Sequence, residues 1–115
     1  LKSSLKYDIL VTDSLSVLDM FIGEGNRRMK LFELFEWMKG LGCTSFIITE
    51  ATPKSGINEE DYLSDGVIRL SKEKIGGMDM QRLVYVDKMR EVKHNTAVFN
   101  LLFEDGKFQI TKAIV

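Results

Sequence analysis

Two rhythms of apolar positions run through the first half of the chain. Tyr7-Asp8-Ile9-Leu10-Val11-Thr12-Asp13 is a continuous aliphatic run closed by an acid, which predicts a strand buried on both faces. From Glu24 to Gly40 the spacing changes: Leu31, Leu34, Phe35, Met38 and Leu41 recur at steps of three and four, with Arg27, Arg28, Lys30, Glu33, Glu36 and Lys39 largely elsewhere. This is one stripe of a helix, and Gly40 and Gly42 give its stop signal. Thr44 to Thr49 forms a second short buried strand. Strand, helix, glycine turn and strand in that order predict a right-handed β-α-β crossover with parallel strands.

Further along, Ala51 to Asp61 is polar and turn-rich, which reads as a loop ending in a short helical turn. Asp65-Gly66 leads into a third strand, Val67 to Leu70. From Met80 to Asp87 the pattern alternates, with Leu83, Tyr85 and Asp87 on one face and Arg82, Val84 and Val86 on the other. Ala97 to Phe103 and Lys107 to Thr111 flank Glu104-Asp105-Gly106, where glycine suits a tight hairpin. The expected class is α/β: parallel β-α-β strands followed by an antiparallel C-terminal meander. No internal repeat or linker divides it.

Composition narrows the function classes. The 115 residues are 44% apolar and 29% charged, enough for one small globular domain. A single Cys43 excludes an internal disulfide framework and a thiolate zinc cluster. Sixteen basic against seventeen acidic residues give a net charge of −1, so no basic field draws nucleic acid or an anionic membrane. No apolar run reaches the roughly 20 residues of a membrane span, and LKSSLKYD lacks a signal's apolar stretch. A reducing, cytoplasmic setting is the expectation.

Three groups of residues could carry chemistry. Ile9-Leu10-Val11-Thr12-Asp13-Ser14 has the form of a Walker B strand, whose terminal acid holds Mg²⁺, usually through water; any buried strand can also end in Asp. Glu50 follows the next parallel strand, which puts it on the same rim as Asp13, where a solvated loop glutamate is the plainer alternative. Lys88-Met89-Arg90 with Lys93-His94 gathers four potential cations within seven residues. Arg and Lys suit phosphate oxygens in complementary ways, yet such a cluster can equally be a solvated face. Cys43, with no acid–base partner nearby in sequence, reads as a packed thiol. Met29, Met38, Met78, Met80 and Trp37 read as core residues.

In sequence order, YDILVTDSLSVL, RRMKLFELFEWMKGLGCTSFIITEA, SDGVIRL, LVYVDKMREVKHNT and FEDGKFQI resemble the C-terminal half of a KaiC-like ATPase of the RecA superfamily. The resemblance implies a RecA-like partial core over residues 1–115, a single and incomplete domain. It implies that Asp13 is the Walker B acid with Ser14 beside it, and that Glu50 is the polar residue at the tip of the adjacent strand, a catalytic position. Lys88, Met89, Arg90 and His94 would reach across a subunit interface to a nucleotide held by the neighbouring protomer. The implied cofactors are ATP and Mg²⁺. The implied partners are copies of the chain in a ring or the missing N-terminal half.

Three departures bear on activity. No GxxxxGK[ST] and none of the family's paired catalytic glutamates occur in these residues, so they are not expected to hydrolyse ATP alone. Glu91 stands where the family commonly has glycine. The strand that carries the phosphate loop would lie between the Thr44–Thr49 and Val67–Leu70 strands, so its loss leaves two open strand edges. A fragment, direct pairing of those two strands, or another chain in the gap are the expected resolutions. A non-catalytic oligomerisation or partner-docking module is the alternative function. Single-stranded DNA binding is disfavoured by the balanced charge of the rim loops.

Overall fold

The computed structural model describes residues 6–22, 25–50, 59–77 and 79–113. In chain order the elements are β1 (Ile9–Asp13), α1 (Leu15–Ile22), α2 (Arg27–Lys39), β2 (Thr44–Ile48), α3 (Glu59–Leu63), β3 (Gly66–Ile75), β4 (Asp79–Met89), β5 (Phe99–Glu104) and β6 (Lys107–Lys112). They fall into two compact units, Leu1–Leu63 and Ser64–Val115, and each is described by itself. Among the described residues no helix is long and apolar enough to cross a membrane.

In the first unit β1 and β2 pair in parallel, from Ile9 opposite Thr44 to Asp13 opposite Ile48. The core beside them is small: Leu15, Leu31 and Phe35 are buried, with Leu18, Leu34, Ile47 and Leu63 packed against them. Leu31, Phe35, Met38 and Leu41 are the buried members of the expected helical stripe. The helix begins at Arg27, behind Asn26 in a left-handed conformation that makes no side-chain cap. At its other end Gly40 stays right-handed, and Gly42 takes the positive φ of 74° that glycine tolerates without strain. The helix α1 and the ten-residue length of β3 were not anticipated. The expected loop from Ala51 lies outside the described residues as far as Asn58; its closing helical turn is α3.

Several expected core positions are exposed. The outward side chains of β1 and β2 alternate with half-buried ones, so neither strand is covered on both faces. Ile9, Val11, Phe46 and Ile48 form an apolar open face, with Val11 58% exposed. The described helices cover the other face only. Trp37 (55% exposed), Met29 and Met80 are likewise on the surface; Met38 is the buried methionine, and Met78 lies outside the described residues.

The second unit is a four-stranded antiparallel sheet in the order β3-β4-β5-β6. The two-residue turn Asp105-Gly106 joins β5 to β6 with both φ values positive, 52° and 74°, which matches the twist of a hairpin. Direct pairing of β2 with β3 does not occur: β2 pairs with β1 and β3 with β4, in separate sheets. Among the described residues β2 and β3 each have a strand neighbour on one side only.

Within the first unit, Arg27 ties three helices together. Its Nε donates to Asp19 Oδ1 at 2.8 Å and its Nη2 to Asp19 Oδ2 at 3.2 Å, with Glu60 Oε2 3.4 Å away. Hydrogen bonding to Asp19 is the main cause that raises the guanidinium's pKa above its ordinary value, against a smaller opposing effect of burial. A raised cationic pKa contributes stability below the unfolded value and loses it only at more alkaline pH, so the contribution is constant near neutrality. Glu60 is only 7% exposed. Removing the cation that faces it, as in Arg27→Ala, is expected to cost about 2 kcal/mol. Urea unfolding should show the same loss between about pH 6 and pH 9; a change under about 0.5 kcal/mol would contradict the role given to Arg27.

In the second unit, Glu91 has a φ of 63°, the left-handed region that an L side chain enters at a cost. This is a physical reason for glycine at that position. Glu91→Gly is expected to raise stability by about 0.5–1 kcal/mol, after the entropy glycine adds to the unfolded chain. A lower urea midpoint in the variant would contradict it.

Candidate functional site

The first group of candidate residues stands where the parallel pair ends. A buried sheet presents functional side chains at its carboxyl edge, because the chain must turn there and leave the core. Asp13 is the last residue of β1, and its partner in register is Ile48, the last residue of β2. Glu50 lies two residues beyond Ile48, so both acids belong to the same rim, as the β-α-β reading expects, and both are exposed.

The rim is anchored by a feature that the aliphatic run did not reveal. After Asp13 the chain passes through half-buried Ser14 directly into α1, and the Ser14 carbonyl accepts the Val17 and Leu18 amides at 3.2 and 3.4 Å. Leu15, fully buried in the core cluster, pins that first turn. Burial of Leu15 thereby fixes Asp13 and Ser14 at the strand–helix junction. The missed signal was Ser14 as a helix-start residue before Leu15 and Leu18.

The second group lies at the end of β4 and is shaped by a bulge. Ile68 pairs with Val86 but Val67 pairs with Lys88, so Asp87 is an extra residue in β4. The extra residue breaks the alternation of the strand. Lys88 shares a register position with Val67, on the side of the sheet where Arg69 Nε donates to Asp87 Oδ2 at 2.7 Å. Without the bulge Lys88 would share the apolar side with Val84 and Val86. Met89 packs over Gly66, where an added Cβ would come within 3.0 Å of the Met89 Sδ. A side chain at 66 would require the thioether end of Met89 to shift.

Beyond the strand, the Arg90 amide donates to the Asp65 carbonyl at 2.8 Å, and its guanidinium Nη1 lies 3.4 Å from Asp65 Oδ1. Asp65, Gly66 and Asp87 were not singled out as site residues in sequence, because their partners are about twenty or more residues away. His94 is half-buried in the extended stretch before β5. Cys43 is half-buried with its Sγ 3.9 Å from Ser45 Oγ, in keeping with a packed thiol.

Among the described residues no group of three or more His, Cys, Asp or Glu side chains could enclose a metal ion. A Mg²⁺ ion brought with a nucleotide makes a smaller demand, since it keeps several waters and takes one or two carboxylates together with phosphate oxygens. Asp13, exposed on the rim at the end of β1, could serve as one such carboxylate.

Comparison with known proteins bears on these groups. Residues 2–113 match the family described as "ATPase: KaiC". Among solved structures the chain is similar to the KaiC-like protein PH0186 from the hyperthermophilic archaeon Pyrococcus horikoshii OT3. That similarity has a TM-score of 0.77 and 25% identity, and it covers 90% of this chain. The chain spans about half, 49%, of that protein. No curated protein sequence matches it significantly. With a mixed α/β fold, a carboxylate-ended parallel strand and a family match over nearly its whole length, the chain belongs to the KaiC family of ATPases.

Proposed function

We propose that residues 1–115 serve as the C-terminal half of a KaiC-like ATP-binding domain and supply two parts of a nucleotide site that lies between protomers. Asp13, with Ser14 beside it, holds the Mg²⁺ of the bound nucleotide. Glu50 is the polar catalytic position at the neighbouring strand tip. Lys88, Met89, Arg90 and His94 serve the nucleotide of the adjacent protomer. The observation that carries this reading is the placement of Asp13 and Glu50 on one carboxyl rim of a parallel pair within a chain that matches the family over residues 2–113.

Each residue has a task its chemistry suits. When bound, Mg²⁺ offsets charge on the phosphate oxygens. Asp13 orients the ion's waters, and Glu50 can accept a hydrogen bond from a water on the rim. Lys88 gives a point charge and Arg90 a planar fork, the pair that stabilises charge on a transferring phosphoryl group. The contact between Arg90 and Asp65 supports this assignment. Both side chains are well exposed, 44% and 71%, so their ion pair contributes under about 1 kcal/mol. Glu91, beside Arg90, adds a carboxylate that weakens phosphate contact. A phosphate loop must come from the other half of the domain, so these residues do not turn over ATP by themselves.

A complementation experiment tests the shared site. In a complete domain, made by joining residues 1–115 to the phosphate-loop half of a KaiC-like ATPase, Asp13→Ala and Lys88→Ala/Arg90→Ala are each expected to lower ATP hydrolysis about 100-fold or more. Mixing the two variants before assembly should restore about a quarter of the wild-type rate, because random neighbours then build intact sites from two subunits. Full activity of either variant would overturn the assignment, and no recovery on mixing would place both groups in one subunit's site. The docking-module alternative draws on the exposed apolar faces and predicts assembly that is independent of nucleotide.

A further inference from the structure

The antiparallel sheet has two unlike faces. Residues in register across antiparallel strands share a face, so the register of β3 to β6 sorts the side chains. One face mixes Val67, Leu83, Tyr85 and Leu102 with polar groups and charges of both signs, among them Arg69, Glu73 and Asp87, and Arg69 is paired there with Asp87. The opposite face carries an apolar band that runs from Ile68 and Leu70 through Val84, Val86, Phe99 and Leu101 to Phe103, Phe108 and Ile110. This second face is open: Leu70 is 69% exposed and Phe108 72%. Its charges are Lys72, Lys74, Arg82 and Lys112, with no acid among them.

Lys72 stands directly opposite Arg82, and Lys74 is two residues along β3 on the same face. Like charges placed opposite each other across strands are destabilising, and no ion pair among the described residues engages any of these four cations. A chain with a net charge of −1 therefore carries a run of positive charge, with no acid beside it, on a broad apolar open face.

We propose that this face docks an amphipathic helix whose apolar stripe is flanked by carboxylates, and that the helix belongs to the half of the KaiC-like domain that these residues do not span. The carboxylates answer Lys72, Lys74, Arg82 and Lys112, and the stripe covers the band from Leu70 to Ile110. A helix is the occupant because the relative is only 49% spanned, and a mixed α/β fold covers a sheet face with helices. The helical character of the occupant rests on the reading of this chain as part of such a domain; the face and its charge do not. The aliphatic centre of the band favours a protein surface over a single-stranded nucleic acid, which stacks its bases on aromatic rings.

The test uses two synthetic amphipathic helices with one leucine stripe, flanked by Glu in one and by Lys in the other, titrated against the 115-residue chain at low salt. The Glu-flanked helix is expected to bind about tenfold tighter or more, with amide shifts at Leu70, Val84, Leu101 and Ile110. Lys72→Glu/Arg82→Glu should reverse the preference. If charge reversal unfolds the sheet, Lys72→Gln/Arg82→Gln should instead bring the two helices within about twofold of each other. The Glu-flanked helix should not bind the complete domain, where the face is already covered. Equal affinity for both helices, shifts confined to other residues, tighter binding of oligo(dT), or self-association through this face would each overturn the proposal. Equal binding to the complete domain would overturn the assignment of the occupant to the other half. No nucleotide enters the experiment, so it can fail while the complementation test succeeds.

Discussion

A parallel pair of strands needs apolar cover on both faces, because its connections carry helices and its side chains are chosen for burial. In this chain Leu15, Leu31 and Phe35, packed with Ile47, supply that cover on one face. The opposite face of β1 and β2 presents Ile9, Val11, Phe46 and Ile48 to the surface. Everything specific about the first unit follows from this one-sided core. It seats α2, fixes the parallel register and pins the first turn of α1. The two faces of the antiparallel sheet also differ: one mixes apolar side chains with charges of both signs, and the other is apolar with basic charges alone.

The candidate chemistry depends on these packing choices rather than standing apart from them. Asp13 is exposed at a defined place because the next residue but one, Leu15, is fully buried and holds the strand–helix junction. Lys88 and Arg90 are directed by backbone devices in the second unit: the extra residue Asp87, the close approach of Met89 to Gly66, and the Asp65 carbonyl that accepts the Arg90 amide. The left-handed Glu91 completes that turn. A family that places glycine there avoids the strain that this chain accepts.

Much of the fold was legible because local pattern and tertiary role agree. The stripe of Leu31, Phe35 and Met38, the aliphatic strands and the Asp105-Gly106 turn all carry their physics within a few residues. What was not legible depends on atoms outside these elements. A continuous aliphatic run such as Ile9 to Val11 states that a strand is suited to burial, but whether its second face is covered depends on the rest of the domain. Trp37 and Met29 were read as core by type, yet they lie on α2 away from the Leu31 stripe and stay exposed. The α1 helix is hard to see in sequence because its eight residues are mostly apolar and only Ser14 separates it from the strand. In the site, the rim acids were visible from strand ends. Asp65 and Gly66 were not seen as site residues, since only the β3–β4 pairing brings them beside Arg90 and Met89.

Among the described residues β2 and β3 each pair on one side only, which leaves the outer edge of each strand open. Amide hydrogen exchange over β2 and β3 in the 115-residue chain tests it most directly. In a strand bonded to one neighbour only, successive amides alternate between bonded and open. Slow and fast exchange are expected to alternate residue by residue along Thr44–Ile48 and Gly66–Ile75. Uniform protection of successive amides in either strand would mean that its outer edge is already paired, and would contradict the claim.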